Sequence, residues 1–187
     1  MDTHDNFSIN FSLKGFTSIL IGIYILLGVY GIQFILEGFL IDGNPMGKMS
    51  TEIIEVLMFG IVSFVFLFSS LALFFKGRRE AKNFHYKLWN GKTKTAFWKY
   101  IFGIIALFCL LLAIKNSGAI NYIAPVFLFF YAILLFIFKN KERKNILVLS
   151  VLSILLAIVC LLIPSYWYSS FCILGVAHIT YGIVVRN

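Results

Sequence analysis

The chain has 187 residues, of which 60% are apolar, 18% aromatic and only 13% charged, and its mean hydropathy is +0.93. A water-soluble domain carries about 25% charged residues because its surface must face water, so this composition argues against one. The formal net charge of +8 would suit nucleic acid, but the cations gather in short stretches between apolar runs and no recognition motif accompanies them.

The segment before residue 15 is polar, and the first apolar run follows at about 16–41. That run exceeds the about 7–15 residues of a signal-peptide core and ends at no small-residue cleavage site, so it is read as a retained helix. Five more runs follow, at about 52–75, 98–114, 120–138, 146–163 and 167–185. A helix that crosses the hydrocarbon needs about 20 residues, and about 17 suffice, so each run is predicted to span a bilayer. The third is short and places Lys115 where its amine can snorkel outward.

The connections alternate in character. Residues 42–51 hold the turn formers Gly43, Asn44, Pro45 and Gly47; residues 76–97 are long and basic; residues 115–119 make a tight turn through Asn116, Ser117 and Gly118. Residues 139–145 are basic again, and Pro164–Ser170 is uncharged and aromatic. With the N-terminus inside, fourteen Lys and Arg residues fall on inner segments and two, Lys48 and Lys115, on outer ones. That bias sets both termini on the cytoplasmic side. Tyr166, Trp167 and Tyr168 mark one interface, and Trp89, Trp98 and Tyr100 the other. The expected fold is therefore all-α, a single polytopic membrane domain over 1–187 whose six helices form three antiparallel hairpins.

Within the long basic connection, Ala81, Phe84, His85, Leu88 and Trp89 share a helical face while Arg79, Lys82, Asn83 and Lys87 look away. This predicts a basic amphipathic segment at about 78–90, stopped by Asn90 and Gly91 and suited to anionic lipid. The alternative is that the second helix simply runs on. Residues 102–140 can also be laid over 149–187 without a gap, though little beyond hydropathy matches.

Ionisable groups inside apolar runs are the natural candidates for chemistry. Gln33 and Glu37 lie four apart near the outer end of span one, and Glu52 and Glu55 three apart at the start of span two. Glu37 and Glu55 each sit roughly 12–14 Å outward of their span centres, the layer that Lys115 also occupies. These five residues are read either as an outward-facing polar or ion site or as interfacial groups that only fix packing. His178 is the deepest titratable residue, ringed by Gly175, Ala177, Thr180 and Gly182. It is expected to be a buried polar group bonded to a neighbouring helix rather than a relay. Cys109, Cys160 and Cys172 form no metal or disulfide pattern, no catalytic motif is found, and no metal or cofactor is expected.

The final hairpin carries Leu152-Ser153-Ile154-Leu155-Leu156-Ala157, then Leu161-Leu162-Ile163-Pro164, then Ile173-Leu174-Gly175 and Tyr181-Gly182-Ile183. With its proline at the outer turn and paired glycines on the return helix, it resembles the acid-resistance-type family of unknown function, domain 308. That resemblance implies a short bacterial membrane protein of three helical hairpins. The expected function is non-enzymatic: an accessory or structural component of an assembly in the bacterial inner membrane, with a membrane-protein partner or a second copy. A small solute or proton-coupled transporter built on the outer acidic layer is the alternative.

Overall fold

The computed structural model describes residues 13, 15–40, 50–83, 85, 87–89, 91–137 and 146–185. Among them 92% are helical and none lies in a strand. The helices are α1 (Phe16–Leu40), α2 (Thr51–Asn83), α3 (Gly91–Asn116), α4 (Ile123–Ile137), α5 (Ile146–Leu162) and α6 (Trp167–Val184). Short 3-10 turns, Ile120–Tyr122 and Pro164–Tyr166, lead into α4 and α6. The Gly and Pro cluster of residues 42–49 and the basic residues 139–145 lie outside the described residues.

Four helical stretches are long and apolar enough to cross a membrane: Phe16–Gly38, Glu52–Asn83, Thr93–Asn116 and Pro164–Val184. Ile120–Phe136 and Ile146–Leu162 are apolar but shorter. All six overlap the apolar runs of the sequence, and a helix satisfies its backbone internally, as hydrocarbon surroundings require. Some polar side chains bond to their own helix: the Ser70 hydroxyl donates to the Phe66 carbonyl at 2.7 Å, and the Thr180 hydroxyl shares its one proton between the Val176 and Ala177 carbonyls.

The observed helices outrun the apolar runs on the basic side. α2 continues unbroken to Asn83, and α3 begins at Gly91 rather than near 98. Of the two arrangements that the sequence left open for residues 78–90, the run-on helix accounts for the stretch as far as Asn83. Arg78, Arg79, Glu80, Ala81 and Lys82 are tolerated helix residues, so nothing stops propagation. Just beyond, His85 adopts φ 53, a left-handed backbone that closes the helix, and its N–H reaches the Lys82 carbonyl at 3.4 Å.

The α3–α4 turn is set by residues of sharply defined geometry. The Ala119 N–H donates to the Ile114 carbonyl and the Gly118 N–H to that of Lys115, with Gly118 at φ 74. This is the paired hydrogen bond of a Schellman cap, and glycine supplies the left-handed residue without a Cβ penalty.

The chain divides into two compact units. One holds the end of α2 from Phe74, then α3, α4, α5 and the start of α6 as far as Ser170; the other holds α1, α2 as far as Leu73, and α6 from Phe171. In the first unit α4 and α5 pack extensively. The Ser153 hydroxyl donates to the Leu128 carbonyl at 2.8 Å and the Ser150 hydroxyl to the Ala132 carbonyl at 2.9 Å. Position rises on one helix as it falls on the other, so the pair is antiparallel. All four residues are almost completely buried. Small side chains bring the two backbones close enough for a serine to span the gap.

Candidate functional site

In the second unit α1 meets α2 and α6, antiparallel to both. Tyr24 packs on Phe68 with ring centroids 5.7 Å apart, and the backbone at Gly28 passes Val65 so closely that a Cβ there would lie 2.5 Å from its Cγ2. The α1–α6 crossing is tighter. A Cβ on Gly22 would stand 2.5 Å from the Gly175 carbonyl oxygen, and one on Gly182 would stand 2.6 Å from that of Gly15. Between these contacts sit Ser18 and His178. Gly15 and Gly22 stand seven apart, as do Gly175 and Gly182, so the two glycine pairs meet when the helices run in opposite directions.

Ser18 and His178 are both fully buried. The Ser18 hydroxyl donates to the His178 carbonyl at 2.9 Å, and its oxygen lies 3.1 Å from His178 Nδ1. A hydroxyl has one proton, so once that proton is given to the carbonyl, the second contact needs Nδ1 to carry the hydrogen and donate. The pair thereby fixes the ring orientation and joins two helices whose apolar surfaces would otherwise slide. Such a buried polar contact specifies register.

The outer polar residues are arranged differently. The Gln33 amide donates to Glu37 Oε1 at 2.7 Å along one face of α1, leaving Glu37 exposed and Gln33 half-buried. At the start of α2, Glu52 is exposed and Glu55 half-buried, one helical turn apart. Lys115 is half-buried on the last turn of α3 and belongs to the other compact unit. Gln33 and Glu37 are thus in direct contact. Glu52, Glu55 and Lys115 are placed by their own helices.

Among the described residues no group of three His, Cys, Asp or Glu side chains is set to hold a metal ion. Cys160 is buried, Cys172 half-buried and Cys109 exposed, all as free thiols. Ser18, Ser150 and Ser153 are buried polar residues to which the sequence assigned no role. Their only signal is spacing: Ser150 and Ser153 stand three apart within an otherwise aliphatic run, hence on one face. Comparison of the chain with protein-family models, curated proteins and solved structures gives no match.

Proposed function

We propose that the chain is a polytopic protein of the bacterial inner membrane that acts without catalysis, as an accessory or structural component of a membrane-protein assembly. The observation that carries this reading is α2. Its most apolar window has none of its residues buried within the protein, and Val56, Phe64, Leu67 and Phe68 are among the large side chains left exposed. Uncovered apolar surface on this scale needs lipid or a protein partner.

Six crossings in three hairpins, with both termini cytoplasmic, fit the helices. The 17 residues of α5 reach about 26 Å at 1.5 Å per residue, short of the about 30 Å hydrocarbon by less than a helical turn. Because α4 and α5 are packed antiparallel, they cross together or not at all, and either way the ends of the chain come out on one side. The likeness of the last hairpin to the domain 308 family is proposed on the same footing.

The assembly reading predicts a stoichiometric partner when the full chain is purified in mild detergent after cross-linking in cells. Recovery of the chain alone, by mass and by cross-link, would count against it. The second reading, a small transporter, draws on the Gln33–Glu37 contact, which holds one carboxylate oxygen in a fixed direction. Under it, Glu37→Gln, at an exposed position, should abolish pH-driven flux in proteoliposomes while leaving thermal stability within about 1 kcal/mol, the scale of exposed polar changes. Under the assembly reading the unmodified chain drives no such flux.

A further inference from the structure

We propose that the end of α2 and the start of α3 form a docking site for the headgroups of anionic phospholipids; this deepens the membrane reading above and rests on it. Three observations within one compact unit carry the proposal.

First, the end of α2 and the start of α3 are fastened to each other. Rings form a continuous ladder from Phe74 to Trp89 (centroids 6.5 Å apart), from Trp89 to Phe97 (5.4 Å, edge-on), from Phe97 to Trp98 (6.4 Å) and from Trp98 to Phe102 (5.8 Å). The end of α2, residues 87–89 and the first turns of α3 are thereby held together. The ladder is also turned outward: Trp89 is 46% exposed, Trp98 57% and Phe102 64%.

Second, both helices show the same order of chemistry along one exposed face. On α2, Phe75, Arg78, Arg79 and Lys82 follow at i, i+3, i+4 and i+7, and all four are exposed. On α3, read toward its start, Ile105, Phe102, Trp98 and Lys94 are exposed and share a face. Apolar side chains give way to rings, and rings give way to cations. Lys94 lies about 6 Å beyond Trp98 along its helix, and Arg78 and Arg79 about 5–6 Å beyond Phe75. The headgroup layer on each side of the hydrocarbon is about 5–8 Å thick, so these offsets bring the cations to phosphate depth when the rings sit at the boundary.

Third, the charge is of one sign. Glu80 is the only acid from residue 76 to 99, and its carboxylate stands 3.9 Å from the Lys76 amine. Arg78, Arg79, Lys82, Lys87, Lys94 and Lys99 are all exposed. A cationic face of this kind also suits nucleic acid, but here the rings merge into a purely apolar face instead of standing among polar residues. That continuity favours lipid.

The test uses the full chain in vesicles with Trp167→Phe, so that fluorescence arises from Trp89 and Trp98 alone. The vesicles are phosphatidylcholine with a minority of phosphatidylglycerol, and bromine is carried by one lipid or the other at equal mole fraction. Brominated phosphatidylglycerol should quench about two- to fivefold more strongly, and Arg78→Gln, Arg79→Gln and Lys82→Gln together should bring the ratio near one. Equal quenching by the two lipids in the protein with its cations intact would overturn the proposal, as would a preference that survives the triple change. Equal quenching together with retention of a duplex oligonucleotide would assign the cations to nucleic acid instead. Quenching by neither lipid would overturn the membrane reading itself, and the docking site with it.

Discussion

Gly22→Val should destabilise the protein by about 3 kcal/mol, the upper range for over-packing a tight contact. The obstacle is backbone, not a yielding side chain. Even the Cβ of alanine would stand 2.5 Å from the Gly175 carbonyl oxygen and 3.0 Å from the Ile179 nitrogen, so α1 and α6 would have to separate. Separation would also break the Ser18–His178 contacts one turn away. Gly60→Val is the matched control, since nothing lies within 4 Å of a Cβ at that position on α2. It should change stability by less than about 0.5 kcal/mol, as an open site does. Unfolding of both variants in detergent micelles, followed by circular dichroism, checks the pair. Equal losses would mean that the α1–α6 crossing is not a tight one.

His178→Ala should cost about 2–4 kcal/mol, combining a cavity where a fully buried ring stood with a lost hydrogen bond. Ser18→Ala should cost about 1 kcal/mol, because it removes the hydroxyl and leaves the ring in place. The double variant should cost less than the two singles together, by about 0.6–1.7 kcal/mol, the range found for interhelical hydrogen bonds in lipid. Ser18→Thr keeps the hydroxyl and separates loss of the bond from change of shape. Strict additivity in the same unfolding assay would show that the two residues are merely neighbours.

The six helices were legible because hydrophobic length is a strong signal. Residues 16–41 and 167–185 match α1 and α6 to within a residue or so. The basic ends were less legible. Arginine, lysine and glutamate favour helix as well as leucine does, so hydropathy falls at about residue 75 while the helix continues to Asn83. His178 stood out as a lone titratable residue in an apolar run. Its partner did not, because a serine near the start of a helix carries no mark of the residue it will meet 160 positions later. Gly175 and Gly182 were visible as a small-residue face around His178. The structure uses that face within the chain, against backbone atoms of Gly15 and Gly22. The outer acids show the remaining limit. Spacing predicts that Gln33 and Glu37 share a face, and they touch; no spacing relates Glu55 to Lys115, which are carried by different helices in different units.

The most direct measurement concerns the connection between α4 and α5. If all six helices cross, residue 141 faces the cytoplasm; if α4 and α5 fail to cross, it faces outward with its basic neighbours. Lys141→Cys, in a background with Cys109, Cys160 and Cys172 replaced by alanine, should resist a membrane-impermeant maleimide in intact cells and react once the cells are permeabilised. Ser117→Cys, at the exposed α3–α4 turn, should react from outside in the same cells. Labelling of residue 141 in intact cells would contradict the six-crossing account.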